Sequence, residues 1–306
     1  MIVILTYKYN EQEKKFYCGV ALLLAATLTT SCGQDVMDET GAAEQQEVQQ
    51  VTTVADLTQQ LRAYDAAVMG CTRVGESAWI DPSAMAVTNA RMGIALADAS
   101  GAIVGAVKGG LKGAILGAVA RSLKKLLGKL LPLSTLNMTT PTIFVADGCA
   151  PMLSDSVGYY HNLLETELYN QYATKTLPTS NVLFNKTDMM MRYVSKGYVA
   201  EGQFTTQQRQ ALVSDFNTFR AADRNDLSFD EYSDLLKQIN TESSDYIDFA
   251  AEYLFTVFYG NVDIDDYTEE VLFLIANSNA DVEDISVLNS CIQVAHASTI
   301  FSTNIE

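Results

Sequence analysis

Small and apolar residues recur every four positions from Gly101 to Leu131, GAIVGAVKGGLKGAILGAVARSLKKLLGKLL, the most regular stretch of the chain. Gly101, Gly105, Gly109, Gly113 and Gly117 form one row; Ala102, Ala106, Gly110, Ala114 and Ala118 form the next. In a helix these rows make one face almost free of side chains, which another helix or a lipid headgroup can approach closely. Ile103, Val107, Leu111, Ile115 and Val119 make a bulky apolar row, and Lys108 and Lys112 stand in the fourth. Each helical glycine costs about 1 kcal/mol, so the ladder requires a compensating close contact. Upstream, Asp81-Pro82-Ser83 predicts a helix start, with Pro82 pre-set for the first turn. The helix from about Ser83 to Ala97 places Gly93 and Ala97 on the glycine row, and Asp98 and Ser100 are the expected break if the rod folds into a hairpin.

From Gly101 to Ala120 a continuous helix would be about 30 Å long and match a bilayer core. Lys108 and Lys112 argue against a lone span, since a cation at the membrane centre costs about 3 kcal/mol, and favour oligomers with a wet lumen. In Arg121 to Leu131 the leucines keep helical spacing while Arg121, Lys124, Lys125 and Lys129 take the other side, predicting an interfacial cationic helix that Pro132 ends.

Helical periodicity also marks Val54 to Gly70, through Val54, Leu57, Leu61, Tyr64 and Val68. After a short extended run at Thr142 to Val145, helices are predicted over Ser154–Tyr172, Val182–Tyr198, Thr205 to about Ala222, Leu235–Ile239, Tyr246–Tyr259, Tyr267–Ala276 and Val282–Ile300. Thr205 with Gln208, and Ser228 with Glu231, have capping-box spacing. The expected fold is all-α: a glycine-zipper helix or helical hairpin packed with an acidic C-terminal bundle of six or seven helices.

Charge divides the chain. The protein has 306 residues and a net charge of −17, yet residues 86–133 hold seven Lys/Arg and one acid. Residues 134–306 hold 25 acids and eight bases. A basic apolar segment within an acidic protein is either neutralised internally or meets an acidic partner such as an anionic membrane. Nucleic acid is not an expected partner, because the remaining surface repels phosphate.

At the N-terminus Lys14 and Lys15 precede an apolar run from Phe16 to Leu28, then Thr29-Thr30-Ser31-Cys32. The run is too short to span a bilayer and has the form of a secretory signal. It resembles a bacterial lipoprotein signal, in which Cys32 becomes the lipidated first residue, although Leu28 stands one place further from the cysteine than is usual. The segment after Cys32, GQDVMDETGAAEQQEVQQVTT, has tether composition, and its acids resemble the surface-export signal of Bacteroidota lipoproteins. Cys71, Cys149 and Cys291 then allow one disulfide and one free thiol, with the pairing open. Arg73, in the loop-like run Cys71 to Ser77, is the expected protease site, with Arg91 and Arg121 behind it. The predicted divisions are leader and signal (1–31), tether (32–53), helix and exposed loop (54–80), cationic zipper (81–133) and acidic helical domain (134–306).

Catalytic patterns are not found. His161 and His296 are the two histidines, and neither is followed by a recognised metal-ligand spacing. His161, within GYYHN, is expected to be a satisfied structural histidine. Asp223-Arg224-Asn225-Asp226 starts like a calcium loop but lacks its later ligands, and no GxSxG elbow is present. Asp263-Ile264-Asp265-Asp266 is expected to be a solvated face or a counter-charge for the zipper. The chain is therefore expected not to be an enzyme, with no cofactor and no metal.

The lipobox-like Cys32, acidic run, loop arginine, cationic glycine ladder and acidic helical region together resemble Bacteroidota surface-lipoprotein toxin precursors. That resemblance implies an antibacterial, pore-forming protein at the outer-membrane surface, activated by a clostripain-like Arg-specific protease. Its implied partners are the lipid membrane, the protease, and further copies of itself or a target-cell receptor. Two other roles are consistent with the residues: a non-toxic structural envelope lipoprotein, or a surface module binding through Tyr246–Tyr259.

Overall fold

The computed structural model describes residues 51–69, 82–128, 153–172, 177–194, 203–224 and 226–303. The expectations for Cys32, the tether up to residue 50, Cys71, Arg73, Lys129, Cys149 and the run at Thr142 to Val145 lie outside these residues. The described residues form an all-α fold without strands. Its helices are α1 (Val54–Met69), α2 (Pro82–Gly128), α3 (Val157–Tyr172), α4 (Ser180–Val194), α5 (Thr206–Ala222), α6 (Phe229–Ile239), α7 (Ser244–Tyr259), α8 (Ile264–Ala276) and α9 (Val282–Thr303). Short 3-10 turns stand at Leu153–Ser156 and Thr241–Ser243.

Several boundaries follow from local chemistry. Thr205 accepts a hydrogen bond from the Gln208 backbone N–H while the Gln208 side chain accepts from the Thr205 N–H, and Ser228 and Glu231 repeat the box before α6. Asp263 caps α8 by accepting from the backbone N–H groups of Asp265 and Asp266. The Asp263 to Asp266 cluster is therefore a helix start, not a counter-charge for the zipper. Each cap satisfies backbone donors that have no partner inside the helix.

The middle of the molecule is α2 and α9. Every residue from Ile94 to Gly105, from Lys112 to Leu123, and from Val287 to Thr299 is buried. Helices buried on all sides lack an amphipathic stripe, because neighbours cover every face. One apolar cluster joins Met92, Leu96 and Ile103 to α1 and α6–α9, through residues such as Leu57, Phe249 and Leu288. The other joins the second half of α2, at Ile115, Leu116, Val119 and Leu123, to α3, α4 and α5. α3 approaches α9 closely at Gly158, where a Cβ would overlap the Gln293 carbonyl.

α2 is a hairpin. Its path reverses at Gly110, whose φ of 64° and ψ of −156° favour a residue without a Cβ. The break is not at Asp98 and Ser100, which remain helical and buried, and no continuous 20-residue rod runs from Gly101 to Ala120. The aromatic face of α7 is also largely spent internally: Phe249 and Tyr253 are fully buried, and the Tyr253 hydroxyl meets Thr268 at 2.8 Å. That weakens the case for a binding surface on this helix.

Candidate functional site

The glycine ladder closes on itself. A Cβ on Gly105 would overlap the Gly113 backbone, and one on Gly101 would overlap the Gly117 backbone. The first arm thus packs through its glycines directly on the second, which is the close contact that the helix penalty requires. Gly109 sits at the tip, where a Cβ would stand 3.3 Å from the Leu212 and Phe204 side chains. Continued in steps of four, the same register would pair Ala97 with Arg121 and Gly93 with Lys125, and the latter two line one cavity. Gly93 has nothing within 4 Å of a built Cβ. It belongs to the ladder by spacing but not by contact.

Each described cation singled out in the hairpin meets an aspartate from the surrounding helices. Lys108 lies 3.6 Å from Asp215, and Lys112 lies 3.6 Å from Asp188 on α4. Arg121 is fully buried; its Nη2 reaches both Asp215 oxygens at 3.0 and 3.1 Å, and its Nη1 donates to Ser100 at 2.8 Å. Lys124 and Lys125 approach Asp223 at 3.9 and 2.7 Å, and Lys125 also donates to the Arg224 carbonyl. Aromatic faces complete the sheath: Phe204 under Lys112, Phe219 under Arg121 and Tyr232 under Lys125, at 4.5, 4.8 and 3.8 Å. Burial lowers the Lys125 ammonium below its ordinary value, against the pull of Asp223. Pairing of this kind offsets the desolvation of buried charges, and removing one partner leaves the other strongly unfavourable.

The structure thus brings five predicted cations together with Asp188 and Asp215, which the spacing did not single out, and with Asp223. Arg121 is withdrawn as a cleavage candidate, since a protease cannot reach a guanidinium with no exposed surface. Asp223 serves as the counter-charge of Lys124 and Lys125 and not as the opening of a calcium loop. Cys291 is a free thiol within the α9 core, and burial pushes its pKa up, so it is not a disulfide partner here.

His161 differs from the expected satisfied histidine. Nδ1 meets Asn162 Oδ1 at 2.9 Å, but buried Nε2 has no hydrogen-bond partner. It faces Asp98 of the hairpin and Glu165, one turn along α3, at 3.7 and 3.5 Å. The His-x-x-x-Glu spacing places both groups on one helix face, a signal that the sequence carried and that conventional motif spacings do not capture. Burial, with the neighbouring Glu165, raises Asp98 well above the ordinary carboxylate range. Burial also raises Glu165 to about 8 and lowers His161 to about 4. Comparison with protein-family models, with curated proteins and with solved structures finds no match to this chain.

Proposed function

We propose that the chain is the stored form of an exported membrane-disrupting protein, whose cationic hairpin is sheathed by acidic helices until proteolysis loosens them. The observation that carries this reading is the pairing of Lys108, Lys112, Arg121, Lys124 and Lys125 with Asp188, Asp215 and Asp223 around a hairpin whose glycine face is already shut. Among the described residues, Val87–Lys125, which turns at Gly110, passes a length-and-composition test for a membrane span; an 18-residue window within it has mean hydropathy 1.5, and 72% of that window is buried inside the protein. An apolar hairpin carrying cations has two compatible environments: acidic protein helices, or anionic lipid with its apolar rows turned to the acyl chains. Exchange of the first for the second leaves the backbone at Gly101, Gly105, Gly113 and Gly117 covered, because the two arms cover each other there.

Lipid anchoring at Cys32 and cutting at Arg73 belong to the same proposal. They would hold the precursor at the outer-membrane surface and free it there, with other bacteria as the target. A second reading follows from the hairpin's contribution to both apolar clusters. It makes the hairpin a permanent core of a surface lipoprotein. Dye release from anionic vesicles, measured before and after Arg-specific cleavage, separates the two. Release that requires cleavage is the expected result. A nicked protein whose fragments stay associated and release no dye would overturn the toxin reading and favour the permanent core.

A further inference from the structure

We infer that Asp98, His161 and Glu165 form a buried site for one divalent transition cation of the zinc class, bridging the first arm of α2 to α3. The inference does not depend on whether the hairpin ever enters a membrane. One donor atom from each residue lies within 4.8 Å of the other two, and all three side chains are fully buried. Around a tetrahedral zinc with ligand bonds of about 2.0 to 2.1 Å, neighbouring donors are about 3.4 Å apart. His161 Nε2 stands 3.5 Å from Glu165 Oε2 and 3.7 Å from Asp98 Oδ2, so these two pairs need to contract by only a few tenths of an ångström, while the two carboxylates, within 4.8 Å of each other, would be drawn together by the ion.

The surroundings support donors rather than a closed hydrogen-bond network. Asn162 donates through Nδ2 to the Ala297 carbonyl, which turns its Oδ1 toward His161. An amide oxygen only accepts, so Nδ1 carries the imidazole proton and the Nε2 lone pair points to the two carboxylates. Such support of the distal nitrogen is the usual partner of a metal-bound histidine. Ser122 holds one oxygen of Glu165, and Ser298 holds Asp98 Oδ2 at 2.6 Å. Asp98 Oδ1, Glu165 Oε2 and His161 Nε2 are buried without hydrogen-bond partners. Among the described residues no lysine or arginine pairs with either carboxylate. One imidazole with two carboxylates suits zinc or its first-row neighbours better than calcium or magnesium, which favour all-oxygen sites.

The test uses the full chain stripped by chelator and titrated with zinc, and separately with cobalt(II) as a spectroscopic probe. The expected result is one tight equivalent, a rise in Tm that chelator reverses, and visible cobalt bands without thiolate charge transfer. His161→Gln and Glu165→Gln should each weaken that equivalent at least 100-fold, while His296→Gln leaves it unchanged. Circular dichroism on the metal-free variants establishes that they are folded. Weak zinc binding in the unaltered protein, tight binding that both substitutions leave intact, or thiolate bands in the cobalt spectrum would each overturn the assignment.

Discussion

Near its turn the two arms of α2 touch backbone to backbone, Gly105 on Gly113 and Gly101 on Gly117. Two rungs beyond Gly101 and Gly117, where Gly93 stands opposite Lys125, the arms flank a cavity of about 190 Å³ that Arg224 and Tyr232 also line. One four-residue row supplies both ends. The closed end is glycine against glycine; at the open end Gly93 and Lys125 line the cavity. Between them Asp98 and Ser100 on one arm, and Arg121 and Ser122 on the other, form a buried polar layer with α3, α5 and α9. A small-residue ladder thus closes a helix pair only where both members of a rung are small. Where the opposite member is a long cation, the same residue type makes room.

The most severe way to break the closed end is Gly105→Val. The added carbons would collide with the Gly113 backbone, which cannot move without opening the hairpin. Overpacking that a side-chain shift cannot relieve exceeds the usual range, and a loss of about 5 kcal/mol or more is expected in urea unfolding. Tolerance of valine with less than about 1 kcal/mol lost would mean that the arms do not meet at Gly105.

The polar layer is tested by Asp215→Ala. This removes the carboxylate shared by Lys108 and Arg121 and leaves a fully buried guanidinium poorly compensated. The expected destabilisation is about 3 kcal/mol, against under about 1 kcal/mol for Glu167→Ala at the more exposed Lys186 pair. If the sheath restrains the hairpin, Asp215→Ala should also release dye from anionic vesicles with less cleavage than the unaltered chain. Equal unfolding curves for the two alanine variants would show that buried pairing does not hold the hairpin in place.

How much of this was legible depended on sequence range. Thr205 with Gln208 and Ser228 with Glu231 announce their helices because a capping box is complete within four residues. The all-α class follows from the same short-range periodicity. Gly110 did not announce the turn, since a glycine suits both a ladder and a reversal, while polar Asp98 and Ser100 looked like a better break. Their polarity is instead satisfied or directed within the folded core by Ser298, Arg121 and their neighbours. The cations of the site were visible as an excess of charge. Their partners were not, because Arg121 and Asp215 meet across 94 positions that no local pattern connects.

The open end supplies the smallest effect and the opposite sign. Gly93 lies within a helix, and an added Cβ there meets nothing within 4 Å, so alanine brings no collision. Replacing it reduces the backbone freedom of the unfolded chain and raises helix propensity, a gain of about 0.5 to 1 kcal/mol. Gly93→Ala should therefore raise the urea midpoint slightly and leave the denaturant slope unchanged. A substantial loss of stability would place Gly93 in close backbone contact and extend the closed end through the rung that Lys125 occupies. The pair Gly93→Ala and Gly105→Val thus reads the two ends separately: glycines of equal spacing in one helix give opposite signs only if the close contact at Gly105 has been lost by Gly93.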